Sequence, residues 1–335
     1  MSATLSLLVH TLFRDSSVPE SGHIPESFNY QDRHERFPPP KAQYTVQPIS
    51  CVMTRFNSLI AFAIVLSLLV SAGCLQEHQT VGGANETTTI RHAIMQKLLH
   101  EMTGSIQSEL GMFNFSIDEA SYYLGEHGLT GPKADSMMAD FASYHPAILS
   151  LITVDTNGTV LSAAPDNAKI LIGQNIADQE AISQVLSTRK PTMSNYFTLR
   201  QGGEGVVMVY PVFSPSGEFL GALSLAFSPS LLSARYAEEL EGWAPFTYAV
   251  AQPDGVLLYH TNSALVGKPA FDEPLFERFP DILDFVRRSD AERTGYATFS
   301  FFKEGSTEIV PKETFWETVY LYDSEWRVFV NADRE

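Results

Sequence analysis

The sequence is short of cysteine, of positive charge and of recognisable catalytic signatures, and each shortage excludes something. Its cysteines are Cys51 and Cys74. Neither falls in a stretch patterned for a folded module, so no disulfide framework or thiolate zinc site serves the fold. Lys and Arg number 22 against 39 Asp and Glu, a formal net charge of -17. A surface of that sign repels phosphate and argues against nucleic acid as a partner. There is no Gly-x-Ser-x-Gly elbow, no His-Glu-x-x-His, no phosphate-loop glycine set and no dinucleotide fingerprint. Gly202-Gly203-Glu204-Gly205 is rich in glycine but opens no helix, and Glu238-Glu239 reads as a solvated pair. His92 and His100 lack a third ligand at metal spacing and read as solvent-exposed. The expectation is a protein that is not an enzyme and takes no cofactor or metal.

What is present begins with a leader. Met53-Thr54-Arg55 gives a positive head, Leu59 to Ala72 an apolar run, and Ser71-Ala72-Gly73-Cys74 a small-residue end, the pattern of a secretory signal over residues 53–74. The run is about 14 residues, short of the roughly 20 that a bilayer-spanning helix needs. Its end resembles a lipobox, which makes Cys74 the candidate lipidation site; an uncleaved membrane anchor is the alternative. Residues 1–52, with Phe37-Pro38-Pro39-Pro40 and no periodicity, read as a disordered extension preceding a translation start at Met53. Residues 75–87 read as a polar tether.

Residues 88–127 are expected to form stalk helices. Ile90, Ile94, Met95, Leu98, Leu99, Met102, Ile106 and Leu110 recur at intervals of three and four. Gly111 suggests a kink, and Ser116-Ile117-Asp118-Glu119 has capping-box spacing for a second helix. A further helix is expected from Pro132, a favoured first-turn residue, to Tyr144. Ile152 to Leu161 then reads as strand, turn and strand, with Thr156-Asn157-Gly158-Thr159 turning between. Gly205–Phe213 and Phe219–Phe227 read as a hairpin about Ser214-Pro215-Ser216-Gly217.

This pattern recurs. Val250 to Leu258, with Pro253-Asp254-Gly255, repeats the first strand, turn and strand. Leu171-Ile172-Gly173-Gln174 finds its counterpart in Leu265-Val266-Gly267-Lys268, and Phe315–Tyr322 with Trp326–Val330 repeats the hairpin. Two tandem copies of one antiparallel module, over residues 128–235 and 236–335, are the simplest account. Between the halves of the second copy, Pro274 to Ser289 reads as helical, with Pro280 placed to split it. The fold class is α+β: a long N-terminal helical stalk and two modules, each a central antiparallel sheet flanked by helices.

The order of these motifs resembles the double Cache family of extracytoplasmic sensors. The residues that carry it are the long helix, Gly128-Leu129, Ile152-Thr-Val-Asp-x-Asn-Gly-x-Val-Leu, Ile172 to Glu180, Tyr210-Pro211-Val212, and the second-module Pro253-Asp254-Gly255, Val266-Gly267-Lys268 and Trp316-Glu317-Thr318. The resemblance covers about Thr88 to Val330. It implies two tandem PAS-like modules on one helical stalk, sensing of a small molecule outside the cell, and a membrane receptor or transducer as partner. The Arg-x-Trp-Tyr cluster of the amino-acid-binding branch is replaced here by Asp178-Gln179-Glu180-Ala181, so an α-amino acid is not carried over as ligand.

The expected role is a membrane-tethered, extracytoplasmic sensor or solute-capture protein with its ligand in the first module. Candidate ligand-binding residues are Tyr144, Asn195, Tyr196, Arg200, Tyr210 and Ser224. Arg200 has the fork geometry to pair with a carboxylate, and the amide and hydroxyls supply hydrogen bonds. The blander reading makes Tyr196 and Tyr210 core aromatics and Arg200 a solvated loop charge, and leaves a structural or adhesion surface protein without a pocket. His145 is a pocket candidate or a structural histidine. Tyr259-His260, Trp316 and Trp326, with Phe299, Phe301 and Phe302, read as core. Asn-x-Ser/Thr sequons stand at Asn85, Asn114 and Asn157, and Asn157, on a turn, is the likeliest glycan acceptor by position.

Overall fold

The computed structural model describes residues 83–240, 245–269 and 274–334. The extension 1–52, the signal-like segment 53–74 and Cys74 lie outside the described residues. No helix among the described residues is long and apolar enough to cross a membrane.

Helix α1 (Gly83–His127) runs unbroken for 45 residues, roughly 68 Å at 1.5 Å per residue. Gly111 and Ser116 both lie inside it, so the expected kink and second start do not occur. The reason is the buried stripe, which continues from Met95, Leu98 and Met102 through Phe113 and Ile117 to Leu124 without a phase change. Packing along that stripe outweighs a local capping signal. Helix α2 (Pro132–Tyr144) begins at its proline as expected and buries Met137, Met138 and Phe141.

The first sheet follows: β1 (Ile148–Asp155), β2 (Val160–Ala164), a 3-10 turn (Asp166–Leu171), α3 (Glu180–Thr188), β3 (Thr192–Met193), β4 (Phe197–Thr198), β5 (Glu204–Phe213) and β6 (Phe219–Phe227). Helix α4 (Pro229–Leu240) leads to the second sheet. This comprises β7 (Thr247–Ala251), β8 (Leu257–His260), a 3-10 turn (Ser263–Leu265), α5 (Pro274–Glu277), α6 (Pro280–Ala291), β9 (Gly295–Phe302), β10 (Ile309–Leu321) and β11 (Ser324–Asp333). Pro280 starts α6, separating it from α5.

Strand order is β2-β1-β6-β5-β3 in the first sheet, with β4 also on β5, and β8-β7-β11-β10-β9 in the second. The two orders are one topology used twice. The repeat extends to individual hydrogen bonds. Gly158 N–H donates to Asp155 O as Gly255 N–H donates to Gln252 O, and Gly173 N–H to Val160 O as Gly267 N–H to Leu257 O. Gly158 sits at φ 83° with Ala177 against the place a Cβ would occupy, so turn and packing both require glycine there.

One face of each sheet packs on α1. The shared core holds the helix stripe with Leu151, Met208, Leu223 and Leu225 of the first sheet and Val250, Val319, Trp326 and Val328 of the second. The opposite faces carry separate clusters. In the first module Ile152, Val154, Val207, Val209, Ala222 and Ala226 lie beneath Ile182 and Val185 of α3. In the second, Ala249, Ala251, Trp316 and Phe329 form the counterpart.

Candidate functional site

The six expected ligand residues do not converge. Val209 pairs with Ser224 and Tyr210 with Leu223, so side chains alternate and Tyr210 and Ser224 stand on opposite faces of the sheet. Tyr210 reaches the stalk, where its hydroxyl donates to Asn114 Oδ1 at 2.9 Å. Tyr144 packs against the stalk-side core. Asn195 is exposed. Tyr196 leans toward the second module: its backbone N–H donates to Gln252 Oε1, and its ring lies against Gly267. Arg200 is exposed and engaged with Asp178, tying the turn after β4 to the entrance of α3. Ser224 alone of the six lies buried on the outer face.

That outer face of the first sheet carries two serines among its aliphatic side chains. Ser150 Oγ accepts from Gln201 Nε2 at 2.9 Å, and Ser224 stands between Ala222 and Ala226 on β6. Above it, Thr192 Oγ1 donates to Gln184 Oε1 at 3.0 Å, joining β3 to α3. Phe197 and Leu199, between β3 and β5, pack into this face's cluster beside α3 and form part of its roof, and the same connection touches the second module. Ser324 Oγ donates to Met193 O at 2.8 Å, and Gln252 takes the Tyr196 N–H.

Three polar clusters fasten the modules to the helix. Asn114 Oδ1 accepts from both Tyr210 of the first module and Tyr322 of the second. Burial pushes the Tyr210 phenol up to about 12 and raises Tyr322 as well, so both stay protonated donors. Asn157 is exposed on its turn, whereas the Asn114 amide is committed to these tyrosines. Near the middle of the helix, buried Glu109 accepts from Tyr236 of α4 and lies 3.3 Å from His145 Nε2. His145 Nδ1 accepts from Ala147 N–H, so this histidine is structural and faces the stalk. Burial lowers its pKa, Arg235 adds to that, and Glu109 opposes it.

Toward the start of the helix, Glu313 of β10 is 1% exposed, with Arg91 Nε at 2.8 Å and His92 Nε2 at 2.9 Å. Tyr296 donates to it at 3.0 Å. His92 is thus half-buried, set edge-on to Phe315 and tilted against Tyr296, rather than solvated as its lone position suggested. His100 is exposed as expected. Among the described residues no group of His, Cys, Asp and Glu is placed to hold a metal ion.

The second module holds a cavity of about 670 Å³ that sequence reasoning missed. Its lining includes Thr247, His260, Asn331 and Lys312, with Leu265, Phe299, Phe301 and Phe302. Trp316 and Trp326 are core as expected, but His260 and these phenylalanines line space. Adjacent Lys312 and Glu313 inside an apolar, β-branched run were the available signal, and the structure buries both. The expected strand began at Phe315 and so left both out.

Residues 108–229 match the family model described as HK/GC/Chemotaxis protein-like, sensor domain. A search of curated proteins finds no significant match. Among solved structures, the chain is similar to an extracellular ligand binding receptor from Desulfohalobium retbaense DSM5692, with TM-score 0.59 and 22% identity over 71% of this chain. It spans 40% of that receptor's length. It is also similar to the periplasmic sensory domain of the Campylobacter jejuni chemoreceptor Tlp1, with TM-score 0.52 and 17% identity over 75% of this chain and 96% of that one. A third is the ligand binding domain of the Pseudomonas aeruginosa PAO1 amino acid chemoreceptor PctB in complex with L-Gln, with TM-score 0.51 and 13% identity over 72% and 90%. The described residues share the fold of these domains, two tandem modules on one long helix, and the family model matched over residues 108–229 is that of a sensor domain.

Proposed function

We propose that this double Cache chain is an extracytoplasmic small-molecule sensor, tethered to the membrane through its N-terminal segment, with solute held on the outer face of the first sheet. One observation carries the reading: the connection between β3 and β5, whose Phe197 and Leu199 help roof that face, is hydrogen-bonded to the second module at Met193 and Tyr196. A solute that draws the roof toward Ser150 and Ser224 therefore pulls on the second module as well. Both modules pack on α1, so the helix receives the change. Such a solute shifts the equilibrium only by its difference in affinity between the two roof positions. The Arg200–Asp178 pair is the exposed latch; a carboxylate ligand would compete with Asp178 for the guanidinium. A membrane receptor or transducer would read the helix. The tether would be lipid on Cys74 or an uncleaved 53–74 segment, distinguished by the mass of the mature N-terminal peptide.

The aliphatic filling of the first outer face favours the second reading, a structural or adhesion surface protein. A thermal-shift screen of the full chain against organic acids, amines and nucleobases separates the two. The sensor reading expects at least one class to raise Tm by several degrees, and Ser224→Leu to abolish that rise. A screen in which nothing moves Tm supports the structural reading.

A further inference from the structure

We infer that the second module carries a binding pocket of its own, built for a small organic carboxylate with an apolar or aromatic body. The site is a single row across the sheet with one side chain from each strand: His260 of β8, Thr247 of β7, Asn331 of β11, Lys312 of β10 and Phe299 of β9. Thr247 faces Asn331 and Lys312 faces Phe299, while His260 lies opposite Ala249 and Asn331 opposite Thr314, each two residues from the next member, so the row runs diagonally across one face. All five line the 670 Å³ cavity, a size usual for small-ligand sites.

The polar members of the row are donors. The Lys312 side chain is 9% exposed, and Asp333, 39% exposed, takes one of its three N–H groups. His260 Nδ1 accepts from Asn262 N–H at 2.8 Å, which leaves the proton on Nε2 in the neutral ring. Burial, with the Lys312 charge nearby, holds that ring neutral by lowering its pKa to about 4. The Asn331 amide reaches only a long 3.5 Å contact to Thr247 O, and Thr247 brings a hydroxyl. An ammonium, an imidazole N–H, an amide and a hydroxyl side by side call for an acceptor-only group, and a carboxylate is the compact one. The walls specify the remainder. Leu265, Phe299, Phe301 and Phe302 form an apolar side, and Phe301 is braced by the rings of Phe276 and Phe279 at 5.9 and 5.0 Å. Lys303 and Lys312 are offset by Glu304 and Asp333, so the site carries too little positive charge for a di- or triphosphate.

This site stands apart from the first-sheet face, and the test keeps the two separate. Isothermal titration of the full chain uses benzoate, its neutral isostere benzamide, and inorganic phosphate. The expected result is saturable benzoate binding, with benzamide weaker by at least about tenfold, the loss of one charge-assisted hydrogen bond, and phosphate weaker still. Lys312→Gln is expected to weaken benzoate by a similar factor. Ser306→Trp, an exposed position at the mouth, blocks entry without touching the row, which keeps the test decisive if Lys312→Gln misfolds. Ser224→Leu, on the first sheet, leaves benzoate affinity unchanged. Equal binding of benzoate and benzamide, benzoate binding indifferent to both second-module variants, or no benzoate binding to folded protein overturns the inference.

Discussion

Replacing Glu313 by Gln tests how the stalk is held. The carboxylate is 1% exposed and gathers Arg91, His92 and Tyr296, with Arg334 Nε at 4.0 Å. Glutamine keeps the shape and one acceptor but removes the charge that Arg91 faces. Removing one partner of a buried pair costs about 3–5 kcal/mol, and Arg91, 21% exposed, recovers part of that from water, which leaves roughly 2–3 kcal/mol. For a domain of this size that is a fall in Tm of about 5–10 °C. Burial alone would raise the Glu313 pKa, but hydrogen bonds from His92 and Tyr296 and the charge of Arg91 hold it below its ordinary 4.5. Its stabilisation is therefore complete above pH 4.5 and is lost as pH falls through the lower folded value. Thermal unfolding followed by circular dichroism at pH 7 and again near pH 3 is the assay. The Tm difference between wild type and variant should be large at pH 7 and shrink in acid. A difference under 1 °C at pH 7, or one that persists unchanged at pH 3, would refute the account of this anchor.

Asn114→Leu leaves the Tyr210 and Tyr322 hydroxyls without their shared acceptor and should cost about 2 kcal/mol in urea denaturation; a loss below 0.5 kcal/mol in that assay would mean water replaces the amide. His260 is neutral when folded, with a pKa near 4 against 6.5 when unfolded, so the unfolded state takes up the proton first. Stability should fall by up to roughly 3 kcal/mol as pH drops from 6.5 toward 4, and His260→Gln should flatten the urea midpoint over that window. Gly295 sits where a Cβ would meet the Trp316 ring at 2.2 Å, so Gly295→Ala should destabilise by about 1–3 kcal/mol and alter tryptophan fluorescence. Arg200→Ala removes an exposed pair and should shift Tm by no more than the equivalent of about 1 kcal/mol.

The architecture was legible because its signals are periodic. The α1 stripe, the Asn157-Gly158 and Asp254-Gly255 turns and the paired Ile172-Gly173 and Val266-Gly267 turns recur at matching places, and the structure repeats them hydrogen bond by hydrogen bond. The site was less legible. Tyr210 and Ser224 were candidates for one site, yet register puts them on opposite faces, and no single-strand pattern shows which face covers the stalk. Tyr196 and Arg200 belong to a connection whose partners, Gln252 and Asp178, lie far along the chain or in another loop. The second-module cavity was hidden because its row takes one residue from each of five strands, a constellation that no local spacing displays. Lys312 and Glu313 precede the strand expected from Phe315, and are buried on opposite sides of one strand.

The central claim is that both modules act on one helix, so that a solute bound to either is felt along it. Hydrogen–deuterium exchange over Met102 to Leu124, with and without a saturating hit from the thermal-shift screen, measures this most directly. The account expects altered protection in that segment, centred on Glu109 and Asn114, where the modules are fastened. Protection that changes only at the binding face, with the helix untouched, would contradict it.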